Sequence, residues 1–137
     1  MISFHVKNDR TKEIKSEMER ALLAALETCG EIGEGYAKDN LTQAHHVDTG
    51  NLRNSVTHKV VDKDCYIGTN VEYGKYIELG TGKYADGGRK TSWVYKDEKG
   101  NFHRTDGIRP DPWLKPAVTD HLDTYKKVFE NIKNEIK

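Results

Sequence analysis

The chain has 137 residues, its 22 Lys plus Arg are balanced by 22 Asp plus Glu, and only 35% of its residues are hydrophobic, with a mean hydropathy of −0.84. That length predicts one domain with a thin core, and the zero formal charge removes the whole-chain electrostatic footprint of a dedicated DNA-binding protein. The longest apolar runs, such as Ala21 to Leu26, fall far short of the roughly 20 residues that cross a bilayer, so no membrane contact is expected.

In chain order, Ile2, Phe4 and Val6 alternate with Ser3, His5 and Lys7, which predicts a short strand with one buried face. Met1 to Arg10 also lacks the apolar h-region and cleavage site of a secretory signal, so synthesis in the cytoplasm is expected. From Lys12 to Ala44 the period lengthens: Ile14, Met18, Leu22, Ala25, Cys29, Ile32, Tyr36 and Leu41 recur at steps of three and four, the signature of an amphipathic helix. Unbroken, it would extend about 50 Å, against a radius of gyration near 14 Å for a compact chain of this size. Such a helix either bends or meets another subunit. Gly30, Gly33 and Gly35 each cost roughly 1 kcal/mol against Ala in a helix interior, so they predict a kink or a close helix-to-helix approach. Cys29 and Cys65, with no CxxC spacing, are expected to be free thiols.

Beyond the long helix, Asp48 or Thr49 is placed to cap a short helix that begins around Gly50. Val56 to Val61 and Tyr66 to Val71 predict a hairpin turning at Asp62, Lys63 and Asp64, and VEYGKYIELGTG predicts a short helix or an irregular strand end. A second hairpin follows, Ser92 to Lys96 with Asn101 to Thr105, and Pro110, Pro112 and Pro116 bracket Trp113 and Leu114 before a last helix running to Glu135. The apolar stripe of that helix is Val118, Leu122, Tyr125, Val128 or Phe129, Ile132 and Ile136. The expected fold class is α+β, a small antiparallel β-sheet flanked by a long N-terminal helix and a C-terminal helix. Residues 1–137 form a single domain, with a basic aromatic hairpin inserted at about 83–105.

Motifs for chemistry are weak. His45, His46 and Asp48 are the one group with a metal-ligating look, but neighbouring side chains on a helix end diverge and no HExxH or CxxC spacing supports them, so a solvated helix terminus is the better reading. No GxSxG elbow surrounds Ser55 or His58, and GTGKYADGG lacks the GxxxxGK[ST] spacing of a phosphate loop. No catalytic residue, metal or cofactor is therefore expected.

Charge is uneven locally. Lys83 to Arg104 holds six bases (Lys83, Arg89, Lys90, Lys96, Lys99 and Arg104) against three acids, interleaved with Trp93, Tyr95 and Phe102, whereas Arg10 to Asn40 holds five bases against seven acids. Opposite surpluses on two segments suit head-to-tail contact between copies. Stacking of the same aromatics on nucleic acid is the other use of such a hairpin.

The ordered set formed by a long helix ending in YAKDN, then VDTGNLRNSV, VEYGKYIELGTG, a WVY hairpin and RPDPWLKPAV resembles the tail-completion, or head–tail joining, family of tailed double-stranded DNA bacteriophages and prophages. The resemblance runs from about Leu22 to Val118. Two positions depart from the family pattern: His46 stands where a proline usually precedes the Val-Asp-Thr-Gly block, and Gly74 where alanine is frequent.

The resemblance implies a non-enzymatic virion component that forms a ring of identical subunits at the neck. It contacts neighbouring neck and tail proteins, with DNA passing through the ring and no sequence-specific binding. Such a protein is found in the host cytoplasm during assembly and then in the virion neck or tail.

Side-chain chemistry assigns structural roles within this set. Asp48 and Thr49 cap the short helix, Gly50 allows the turn, Leu52 packs inward, and Arg53 is expected to pair with Glu78. Tyr73, Tyr76 and Leu79 are expected to anchor sheet to helix. Trp113 and Leu114 plug the last helix into the core, while Gly80, Thr81, Gly82, Pro112 and Pro116 shape the connections. Lys83, Arg89, Lys90, Trp93, Lys96, Lys99 and Arg104 form the expected interface or DNA-facing set. The competing classes are a metal-dependent nuclease built on His45, His46 and Asp48, and a DNA-binding prophage protein.

Overall fold

A computed structural model describes residues 2–3, 9–43 and 49–135. Residues 4–7 of the expected first strand, the His45–His46–Asp48 group and the Asp48 cap lie outside the described residues. Helix α1, Thr11–Gln43, runs unbroken for 33 residues and is the spine of the molecule. A short helix α2, Thr49–Ser55, leads into strands β1, Thr57–Val61, and β2, Asp64–Gly68, which pair antiparallel from Thr57↔Gly68 to Val61↔Asp64. Asp62 takes φ 54° in the two-residue turn between them.

Helix α3, Tyr73–Leu79, resolves the VEYGKYIEL segment as helix. A single 3-10 turn, Gly82–Tyr84, precedes β3, Trp93–Lys96, and β4, Phe102–Thr105, which form the second hairpin in the register Trp93↔Thr105 to Lys96↔Phe102. The class is α+β, yet the two hairpins stay separate two-stranded sheets and never join into one.

The final helix departs from expectation too, being divided into α4, Lys115–Thr119, α5, Leu122–Glu130, and α6, Ile132–Glu135. His121 leaves helical geometry at φ −128° and ψ 27°, and its ring stacks on Tyr36 of α1 with centroids 3.4 Å apart and planes 4° from parallel. Tyr125 Oη donates to the carbonyl of Ala117 at 2.6 Å, tying α5 back across the break. No proline or glycine causes this bend. The break falls instead after Thr119, at Asp120 and His121, and all three residues have low helix propensity.

The core lies at the C-terminal half of α1, where Ala37 and Leu41 meet Leu52, Val56, Trp113 and Ala117. Tyr36, Ile67, Val71, Tyr73, Ile77 and Leu114 pack around that cluster. The glycines of α1 serve a close approach, but to the hairpin rather than to another helix. A Cβ at Gly30 would sit 2.3 Å from the His58 ring of β1, and one at Gly33 would sit 2.1 Å from Ile67 Cδ1 of β2. Gly35 faces open space.

Candidate functional site

Three local constructions decide what this chain presents to its surroundings. In the first, the Glu78 carboxylate at the end of α3 accepts from the backbone N–H groups of Trp113 at 2.7 Å, Leu114 at 2.8 Å and Lys115 at 3.0 Å. These are the otherwise unpaired donors that open α4, so a negative charge sits where the helix dipole and the free N–H groups both favour it. Glu78 is therefore a cap for α4 supplied from another helix. The expected ion pair with Arg53 does not form; Arg53 is exposed on α2, and the carboxylate is already committed.

Trp113 is only 2% exposed, and its Nε1 donates to the Gly74 carbonyl at 3.0 Å while its own carbonyl accepts from Asn40 Nδ2 of α1 at 3.0 Å. Gly74 stands where the ring needs space, since a Cβ there would approach Leu52 Cδ1 to 2.8 Å and Trp113 Cζ2 to 3.3 Å. The Tyr73 hydroxyl accepts from the Leu52 N–H at 3.1 Å, which ties α3 to helix α2 rather than to a sheet. Tyr76 and Leu79 do not anchor sheet to helix: they are 41% and 64% exposed, and Ile77 takes the inward position instead. On a seven-residue helix only one narrow stripe reaches the core.

In the second construction, two backbone stretches cross at the root of the β3–β4 hairpin. The Thr81 N–H donates to the Ile108 carbonyl at 2.9 Å, the Ile108 N–H to Thr81 Oγ1 at 2.9 Å, and the Lys83 N–H to the Asp106 carbonyl at 3.1 Å. Gly82 (φ 62°) and Gly107 (φ 120°) permit the crossing: a Cβ on Gly82 would lie 2.1 Å from the Asp106 carbonyl oxygen, and one on Gly107 would lie 2.1 Å from that of Thr81. Gly80 and Pro110 pack against each other beside it. The ELGTG segment is thus the clasp of an arm. Pro112 is exposed next to it, whereas Pro116 is half-buried in the first turn of α4.

The arm itself is braced on one face. Arg89 lies over the Trp93 ring at 5.7 Å, Tyr95 stacks on His103, and Asp97 holds the turn by accepting from the backbone of Lys99 and Asn101 and from His103 Nε2 at 2.7 Å. The pairing register places Val94, Lys96, Phe102 and Arg104 on the other face. There Val94 and Phe102 are 60% and 72% exposed, with Lys96 over Phe102 and the Arg104 guanidinium donating to Ser92 Oγ. Lys83 is drawn aside to Asp106 at 3.7 Å. Lys90 and Lys99 are exposed, so the expected interface set divides between a braced face, an open face and the root.

The third construction joins residues that the sequence analysis did not connect. His58 Nδ1 faces Glu34 Oε1 and His58 Nε2 faces Glu27 Oε2, each at 2.7 Å, so the imidazole bridges two carboxylates spaced seven residues apart on α1, with Gly30 beneath it. Each ring nitrogen lies within hydrogen-bond distance of a carboxylate oxygen, an arrangement that favours the doubly protonated, charged ring. The hydrogen bonds from Glu27 and then Glu34 raise the His58 pKa, with burial opposing, and Glu34 ends below the ordinary carboxylate value although burial pushes it upward. A glutamate–glycine–glutamate spacing of three and four along one helix face was the available signal.

Among the described residues no group of three or more His, Cys, Asp or Glu is arranged to hold a metal, and no helix is long and apolar enough to cross a membrane. A family model described as "Bacteriophage HK97-gp10, putative tail-component" matches residues 8–80, more than half of the chain. The chain belongs to this family. It is accordingly a structural tail component of a bacteriophage, with the virion tail as its place. The match takes in the VDTGNLR and EYGKYIELG blocks and ends at Gly80, so the β3–β4 arm and the RPDPWLKPAV segment lie beyond the matched residues. No curated protein and no solved structure matches the chain.

Proposed function

We propose that this tail component is a tail-completion or head–tail joining subunit, working without bond-breaking in a ring of copies at the neck and bound there to neighbouring virion proteins. The observation that supports this most is the unshared end of α1. Its apolar stripe is buried from Ala25 to Leu41, but the same stripe continues outward through Ile14 and Met18, which stay exposed among the described residues. Residues 11–24 extend about 20 Å, and an isolated helix of that length is marginal in water, so a neighbouring surface is the natural completion of the stripe. A chain carrying an open helix end and a separate exposed arm presents two different patches, which is the requirement for head-to-tail closure into a ring.

The test is complementation of a phage deleted for this gene. Wild-type protein should restore joined, infectious particles, whereas the double substitution Ile14→Asp with Met18→Asp should leave full heads and separate tails, because it places charge on the stripe without touching the buried half of the helix. Normal particle yield from the double variant would remove the helix end from the assembly surface. Joined particles formed in the complete absence of the protein would remove the joining role itself.

A further inference from the structure

A groove of about 310 Å³ lies where α1 leaves the body, between the helix and the β1–β2 turn. Leu22 and Leu23 line it, Glu19 and Asp62 stand on its rim, and Lys63 offsets one of those two acids. The rim is net acidic over an apolar lining. The open face of the arm has the inverse character: Val94 and Phe102 sit on one diagonal of the pairing register, and Lys96 and Arg104 on the other. Two exposed apolar side chains flanked by two cations suit two leucines flanked by two acids and one lysine, a groove with one net negative charge.

The arm is also held out to be used. Its root is fixed by the Thr81–Ile108 and Lys83–Asp106 hydrogen bonds, and its braced face carries the Arg89–Trp93 and Tyr95–His103 contacts. Within one copy β3 and β4 pair with each other and form no extensive face against α1 or the β1–β2 hairpin. We propose that the Val94–Phe102 face of the arm docks into the Leu22–Leu23 groove of a second copy, with Lys96 and Arg104 facing Glu19 and Asp62 of that copy. The proposal rests on the reading of this chain as a self-assembling ring subunit and names the surfaces that would form the contact.

Burying the apolar quartet supplies the attraction, since area removed from water drives association regardless of direction. The four charges fix register and exclude other docking angles, because like charges brought together are costly. Association should therefore weaken as salt rises past the point at which the screening length drops to about 10 Å, near 0.1 M.

The experiment uses the purified full chain. A photoreactive benzoylphenylalanine at position 102, in a mixture of isotopically light and heavy protein, should cross-link to a peptide containing Leu22, Leu23 or Asp62 of the other isotope. In sedimentation velocity, Lys96→Glu with Arg104→Glu should weaken self-association by about tenfold or more, and adding Glu19→Lys with Asp62→Lys should restore most of the loss. Unchanged thermal unfolding of the variants shows that the body remains folded. Cross-links confined to one copy, to another surface or to added DNA would overturn the arm-to-groove contact, as would charge reversal without effect or a chain that stays monomeric at millimolar concentration. None of those results touches phage complementation by the wild-type protein, so failure of the contact and failure of the joining role are separately visible.

Discussion

His58 is the residue on which the α1–hairpin contact turns. Its charge is stabilised by Glu27 and Glu34, so its folded pKa lies above the ordinary 6.5. The stabilisation is complete below the unfolded value and is lost as pH rises through the higher folded one. Burial pushes the Cys29 and Cys65 thiols up from their ordinary value. Melting temperature measured from about pH 6 to about pH 9 should fall for the native chain, and His58→Gln should flatten that dependence while costing about 2 kcal/mol at the acid end, the scale of hydrogen bonds to charged groups. Glu34, held below its ordinary value, sets the opposite limit: its contribution is present above about 4.5 and is lost as pH falls through its folded pKa. Glu78 offers a second test at this scale. Glu78→Ala leaves three backbone donors at the start of α4 without their acceptor and should cost about 2–3 kcal/mol in urea unfolding, whereas Glu78→Gln keeps one acceptor oxygen and should cost less.

At the scale of elements, the glycines of α1 separate packing from propensity. Gly35→Ala meets nothing and should stabilise by about 0.5–1 kcal/mol through helix propensity and reduced freedom of the unfolded chain. Gly30→Ala gains the same propensity, but its new methyl runs into a His58 ring held from both sides, so net destabilisation of about 1–3 kcal/mol is expected. Gly33→Ala should fall between them, because Ile67 Cδ1 is the free end of a side chain that can rotate. Urea denaturation of the three variants gives the ranking, and equal effects at all three positions would contradict the close packing of β1 and β2 on this face. The break between α4 and α5 falls after Thr119, at Asp120 and His121, three residues of low helix propensity, where the His121 ring stacks on Tyr36 of α1.

Taken as a whole, the molecule is a long spine with its core at one end, an open helix at the other and an arm tied on by a backbone crossing. Stability should follow that division. In native-state hydrogen exchange, the amides of α1 around Ala37 and Leu41 should be protected to the global limit, whereas those of β3 and β4 and of residues 11–20 should exchange orders of magnitude faster, since they have few buried apolar neighbours. Equal protection throughout would mean that the arm and helix end are integral to the fold of one copy. If the proposed contact between copies forms, the two exposed regions should gain protection together in an assembled particle.

The elements themselves were legible in the sequence because their causes are local. A 3.6-residue period over Ile14 to Leu41 is enough for α1, period-two runs and polar turns are enough for both hairpins, and Trp113 between prolines is enough to mark the plug. The family was legible too, through the order of the VDTGNLR and EYGKYIELG blocks. What only the tertiary structure decided are the pairings across long separations. Glu78 turned to the backbone N–H groups of residues 113–115 rather than to Arg53, His58 found two carboxylates on α1, and Gly82 and Gly107 passed each other at the root of the arm. The reason is physical: periodicity records which face of an element avoids water, but a carboxylate or an imidazole has several acceptable partners. The one it takes is settled by which donors and acceptors the packed backbone leaves without water.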